Sequence, residues 1–305
     1  MSIHITTPLQ ESLYFSGTTG HSVWLKMEAA QPSGSFKTRG IGHLCSHHKA
    51  HGAKRLLSSS GGNAGLAVAY AGRQLALPVL VVVPETTSQR AKTLIRNEHA
   101  EVIVHGRDWS EANEHVLALC GADDAFIHPF DDALIWQGHA SMIDELAQQG
   151  PKPDAIVLSV GGGGLLCGVA EGLQRNGWSD VAIIAAETAG ADSYAQSLAA
   201  GRRITLPAIT SIATSLGART VCERAMALPA QFNIHSVVVS DRQAVAACIA
   251  LLDEHRIVVE PACGASLAGL EAVARQLPDA QRVVVIVCGG VGYSAAQLLD
   301  TAAHT

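Results

Sequence analysis

The stretch Asp154-Ala-Ile-Val-Leu-Ser-Val-Gly-Gly-Gly-Gly-Leu-Leu-Cys-Gly-Val-Ala-Glu-Gly-Leu-Gln174 decides how the chain is read. An apolar run, Ala155–Val160, is followed by four glycines and then by a helix-like segment. A strand without polar alternation is covered on both faces, as in a parallel sheet between helices. Gly161, Gly162, Gly163 and Gly164 let several backbone N–H groups turn toward one point at the positive end of a helix. That is a site for an anion, most simply a phosphate. On the residues alone a phosphate cradle, a dinucleotide loop and a plain tight turn all stay open. A dinucleotide loop reads GxGxxG with an acid about 20 residues on, and Glu187 lies 23 residues beyond Gly164.

Outward from this stretch the alternation repeats. Strands are expected at Arg55–Ser59, Val79–Val83, Glu101–Val104, Ala125–Ile127, Ala182–Ala186, Ser236–Val239 and Val283–Val287. Helix-like segments lie between them, such as Ser88–Glu98, Trp109–Cys120 and Asp241–His255. This implies βαβ units and an α/β fold with mainly parallel sheet. Composition agrees: 48% hydrophobic but only 4% aromatic, so the apolar mass is small and branched aliphatic, with 29 glycines. A net charge of −6 argues against nucleic acid as a partner, which needs a basic face. The seven cysteines have no CxxC spacing, so neither a zinc ribbon nor a disulfide framework is indicated, and a reducing, cytoplasmic compartment is expected. The N-terminus lacks a basic start and apolar core, so no signal peptide is expected. Val283 to Leu299 carries no charge; its glycines make it a buried strand, a turn and a helix rather than a membrane span.

Active sites of open α/β sheets gather at the carboxyl ends of strands. A second unusual loop there is Ser58-Ser-Ser-Gly-Gly-Asn-Ala-Gly65, suited to a carboxylate or else an ordinary Ser/Asn helix cap. A third is Cys288-Gly-Gly-Val-Gly292, which alone reads as a buried cysteine at a strand end. Lys37 sits in Pro32-Ser-Gly-Ser-Phe-Lys-Thr-Arg-Gly40, in a turn leading into a helix. A lysine near a phosphate site can form a Schiff base with an aldehyde cofactor.

Together, in this order, these four motifs resemble the pyridoxal-phosphate enzymes of fold type II, and within them the catabolic L-serine/L-threonine dehydratases, from about Thr7 to Leu299. The resemblance implies two open, mainly parallel twisted sheets with helices on both faces, as in the tryptophan-synthase β subunit. It implies a large cofactor-binding domain, residues 1–31 and 135–305, and a small inserted domain, residues 32–134. It implies elimination of water from L-serine or L-threonine, giving pyruvate or 2-oxobutanoate and ammonia. Lys37 would hold pyridoxal 5′-phosphate and remove the α-proton. Phe36 would pack on the ring, Asn63 would bond the ring 3′-oxygen, Gly161, Gly162, Gly163 and Gly164 would bind the phosphate, and Cys288 would meet the ring nitrogen. Ser60, Gly61, Asn63 and Ala64 would surround the substrate carboxylate. A monovalent cation, expected to be potassium, would take Gly161, Glu187, Ala191, Ser193, Leu216 and Ala218. A homodimer is implied too. With the chain ending at Thr305, no C-terminal regulatory domain is expected.

One position departs from the pattern. Some serine dehydratases carry alanine where this chain has Gly61, and the missing methyl enlarges the substrate pocket, worth about 1–3 kcal/mol in discrimination. The rivals are β-replacement or serine racemisation on the same fold, and a non-catalytic sensor of nucleotides or amino acids, which would be colourless. His43, His47 and His51, with His48 beside them, share one helix face at a spacing that can hold zinc; a solvated face is the expected reading. Cys120, Cys248 and Cys263 are expected in the core.

Overall fold

The computed structural model describes residues 2–305. The chain divides into two compact units. One holds the residues up to Ile5 with Gln31–His139, and the other Thr6–Ala30 with Ala140–Thr305.

The larger unit is built on six strands: β1 (Leu9–Glu11), β2 (Ser22–Lys26), β7 (Ala155–Ser159), β8 (Ala182–Thr188), β9 (Ile234–Val239) and β10 (Arg282–Ile286). Their order is β1-β2-β10-β7-β8-β9. Every pairing is parallel except β1 with β2. The smaller unit carries β3 (Arg55–Ser58), β4 (Val79–Val83), β5 (Glu101–Val104) and β6 (Asp124–Phe126), all parallel, in the order β5-β4-β3-β6. Every residue of β4, β7 and β8 is buried, the burial that their aliphatic runs imply. In the smaller unit Leu57, Leu80 and Val82 pack on Ala112 and Val116 of the helix Trp109–Ala118.

Half of the strand ends move by one or two residues from those expected. The reason is pairing: Ile234 and His235 lengthen β9 because they lie opposite Ile183 and Ile184. Two strands carry no clear signal in the sequence. β1 is a three-residue edge, and β2 ends in Lys26, a lysine with no exposure at all. Its Nζ donates to Thr7 O at 2.9 Å, Glu145 Oε2 at 2.6 Å and Gln149 Oε1 at 2.9 Å. A buried charge is tolerated only when paired and hydrogen-bonded in this way.

The stretch Val283–Leu299 resolves into β10, a turn and the start of the helix Ala295–His304. No described helix is long and apolar enough to cross a membrane. All seven cysteines are free; six are buried and Cys120 is half-buried.

Candidate active site

In the smaller unit, Lys37 opens the helix Lys37–Ala50, directly after Phe36 at the N-cap. Both are half-buried. The lysine Nζ donates to the carbonyl of Pro129, beyond β6, at 2.8 Å and stands 5.1 Å from the centre of the Phe36 ring. A turn of small residues leads in. Ser33 and Thr38 hydroxyls meet at 2.6 Å, and Thr38 Oγ1 donates to Ser35 O at 3.1 Å.

The same unit holds the serine-glycine loop after β3. Gly62 caps the helix Asn63–Leu75 in extended conformation. Ser58 Oγ accepts the Ser60 amide and Ser60 Oγ accepts the Gly62 amide, each at 3.3 Å. These short turns leave Ser60, Gly61 and Asn63 half-buried and Gly62 exposed, over a buried Ala64. Backbone N–H groups at such a helix start suit a carboxylate.

In the larger unit, β7 runs into Gly161–Gly163 and the helix Gly164–Arg175. The amides of Gly161, Gly162, Gly163 and Gly164 meet no acceptor among the described residues. Gly163 has φ +93°, a left-handed conformation, and a β-carbon there would lie 2.8 Å from Ala225 Cβ and 3.0 Å from Cys222 Sγ. A β-carbon on Gly161 would lie 3.1 Å from Leu216 Cα. Ser159 Oγ, just before the loop, is buried without a partner among the described residues. Clustered donors at a helix N-terminus, in a cradle that side chains would fill, fit a phosphate group.

Of the residues expected to hold a cation, the structure brings Gly161 beside Leu216 and packs Ala191 and Leu216 in one core cluster. Glu187 is fully buried at the end of β8; it accepts the Tyr194 amide at 2.9 Å on Oε1 and the Ala195 amide at 2.7 Å on Oε2. Burial pushes its carboxyl up to about 8 although both amide bonds pull it down. Ser193 Oγ is buried with no partner among the described residues. The half-buried Ala218 donates its amide to Leu216 O at 2.8 Å.

Cys288 follows β10 and is buried. Hydrogen bonding with Cys263, then burial, holds its thiol well above the ordinary range. The cysteine is therefore neutral. Cys263 and Cys248 are core residues, as expected, but belong to its surroundings: Cys248 Sγ donates to Glu260 O at 3.3 Å. Glu260, which no motif flagged, is buried, accepts the Gly292 amide at 3.1 Å, and lines a 50 Å³ cavity with Thr214, Ser215 and Tyr293. Its one sequence signal is a carboxylate before Pro261 in an otherwise apolar stretch. His139 was missed as well, because nothing local distinguishes it.

On the histidine face His43 and His51 are exposed and His47 and His48 half-buried. The His47 and His51 rings stack at 4.0 Å, and His51 Nδ1 is bonded to His47 O. Among the described residues no group of three or more His, Cys, Asp or Glu is arranged for a metal.

Residues 2–289 match the family described as pyridoxal-phosphate dependent enzyme. The chain is 47% identical to the L-serine dehydratase/L-threonine deaminase of Homo sapiens over 310 residues, covering 97% of this chain and 94% of that protein. It is 42% identical to the L-serine dehydratase of Dictyostelium discoideum, covering 98% and 91%. Among solved structures, the fungal L-serine ammonia-lyase of Rhizomucor miehei superposes with a TM-score of 0.94 at 35% identity, covering 98% of each chain. Maize serine racemase superposes with a TM-score of 0.89 at 25% identity, covering 99% and 92%.

Proposed function

This chain belongs to the pyridoxal-phosphate dependent enzymes, and from that premise we propose that it is an L-serine dehydratase, also acting on L-threonine. It is an ammonia-lyase that removes water across the α- and β-carbons and yields pyruvate or 2-oxobutanoate with ammonia. The observation that carries this reading is the near full-length likeness to L-serine dehydratases.

When bound, the cofactor supplies an electron sink for the substrate α-carbon. The residues that would hold it are Lys37, covalently at rest, the amides of Gly161–Gly164 at the phosphate, Phe36 on one ring face, Asn63 at the ring 3′-oxygen and Cys288 at the ring nitrogen. The larger unit is the cofactor-binding domain in this reading. Ser60, Gly61, Asn63 and Ala64 orient the substrate carboxylate. Lys37 Nζ, as a free amine, would remove the α-proton as general base. A neutral thiol at Cys288 would be a weak hydrogen-bond partner for the ring nitrogen, so charge at the substrate α-carbon would be stabilised less, which favours loss of the β-hydroxyl, protonated as water, over reprotonation at the α-carbon.

The reading extends to a potassium-like monovalent cation held by Gly161, Glu187, Ala191, Ser193, Leu216 and Ala218. It is supported by a buried Ser193 Oγ with no partner among the described residues and by the buried Glu187, which accepts the amides of the two residues that follow Ser193, since hard cations take oxygen ligands. Seven free thiols fit a cytoplasmic enzyme, and a homodimer completes the reading by resemblance to the family.

The test is the holoenzyme with L-serine and L-threonine, following oxo acid and ammonia beside the absorbance spectrum. Equal release of both by a coloured protein is expected; a colourless protein releasing neither overturns the reading. The likeness to serine racemase favours racemisation as the second reading. D-serine, or incorporation of an added thiol, outrunning pyruvate would select racemisation or β-replacement.

A further inference from the structure

His139 is fully buried in the smaller unit. Its Nδ1 accepts the Gly40 amide at 3.2 Å. Gly40 is the fourth residue of the helix Lys37–Ala50, whose amide ordinarily donates to the N-cap carbonyl; here that carbonyl, Phe36 O, takes the Arg39 amide instead. That helix starts without a side-chain cap, because its N-cap residue is Phe36. The Thr38 and Arg39 amides close short turns on Ser35 O at 3.2 Å and Phe36 O at 3.0 Å, and the Gly40 amide goes to the imidazole. His139 is thus a helix cap supplied from 99 residues away.

The fit leaves no slack. A β-carbon on Gly40 would lie 2.7 Å from His139 Cε1 and 2.5 Å from Ile135 O, and one on Gly138 would lie 2.7 Å from Arg39 O. The imidazole also packs on the Phe36 ring, with centroids 4.9 Å apart. It therefore touches the chain on both sides of Lys37. Since Nδ1 accepts, the neutral ring carries its proton on Nε2, which is buried without a partner among the described residues. Burial first, then the nearby Lys37, Arg39 and His4, hold the imidazole well below its ordinary range. An imidazolium has donors at both nitrogens and could not keep the Gly40 bond.

We infer that His139 is a positioning residue for Lys37: Nδ1 fixes the first turn of the lysine's helix, and the ring face supports Phe36. The amine is then presented in one orientation. This rests on the reading of Lys37 as the cofactor lysine.

The test uses two variants of the holoenzyme. His139→Leu removes the acceptor at similar volume, and His139→Asn keeps an oxygen near the place of Nδ1. In the Leu variant, cofactor release on dilution is expected to speed up about tenfold. Its kcat on L-serine should fall about tenfold with KM within about twofold, the ratio of one lost cap bond. The Asn variant recovers most of both. Equal impairment of the two variants, or wild-type release and kcat in the Leu variant, overturns the inference. Lys37→Ala runs alongside. If it keeps colour and turnover, the reading of Lys37 fails; if it is colourless and inactive while His139→Leu behaves as wild type, only the inference about His139 fails. Should the Leu variant not fold, nitrogen-15 NMR of the histidine-labelled wild-type holoenzyme decides. A neutral Nε2–H tautomer supports the inference, and an Nδ1–H tautomer or an imidazolium overturns it.

Discussion

Thr87 stands where a β-carbon on Gly61 would go: its Oγ1 lies 2.6 Å and its Cγ2 2.7 Å from that position. The Thr87 amide is tied to Pro84 O at 3.0 Å, so the side chain rather than the backbone must yield. Gly61→Ala therefore both narrows the proposed substrate pocket and displaces Thr87. The ratio of kcat/KM for L-serine over L-threonine is expected to rise about tenfold or more, the effect of one methyl in a pocket. Combining it with Thr87→Ala should restore absolute activity on L-serine. Steady-state kinetics on both substrates checks this; an unchanged ratio removes Gly61 from the pocket.

Lys37→Ala is expected to lose the visible band of the cofactor and to lower turnover by about 10²–10⁴-fold or more, the range of a lost general base. Far-UV circular dichroism should stay unchanged, because the lysine side chain is half-buried and its amine donates to the carbonyl of Pro129 rather than to the backbone of its own helix. A variant that stays yellow and active would falsify the assignment of Lys37.

Gly163→Ala forces a left-handed φ on a residue with a β-carbon, costing about 1–2 kcal/mol, and pushes that carbon to 2.8 Å from Ala225. The expectation is a fall in Tm together with weaker cofactor binding, measured by thermal unfolding with and without pyridoxal phosphate. A variant whose Tm gain on adding the cofactor equals that of wild type would show that the loop does not carry the phosphate.

Glu187 makes the proposed cation site depend on pH. Its carboxyl is raised from 4.5 to about 8 by burial, so between those values it is protonated in the folded chain and ionised in the unfolded one. Its contribution to stability is present below about 4.5 and is lost as pH rises through about 8. A cation needs the ionised form, so potassium binding releases a proton, and its affinity rises by up to about tenfold per pH unit below 8 and levels off above. The gain in Tm on replacing tetramethylammonium with potassium should therefore grow between about pH 6.5 and about pH 8.5. It should vanish in Glu187→Gln. A potassium effect that is flat with pH, or that survives the substitution, goes against this site.

Much of the fold was legible because buried parallel strands declare themselves. Val79–Val83 and Ala155–Ser159 are apolar at both faces, and their partners are other runs of the same kind. β2 was not legible, because its Lys26 reads as a surface residue until Glu145 and Gln149 arrive from more than a hundred residues on. The motif-bearing residues, Lys37, Asn63, Gly161–Gly164 and Cys288, stood out because unusual local chemistry at strand and helix ends is visible within a few positions.

By itself, then, the sequence determined the α/β alternation and the loops where chemistry concentrates, since both depend on neighbours along the chain. Only the tertiary structure decided that His139 caps the lysine's helix, that Glu260 holds the turn after Cys288 through Gly292, and that Thr87 fills the space beside Gly61. These are single contacts between distant segments. Hydrogen bonds and steric contacts act over a few ångströms of space, and nothing periodic or compositional in the chain records which distant atoms will meet.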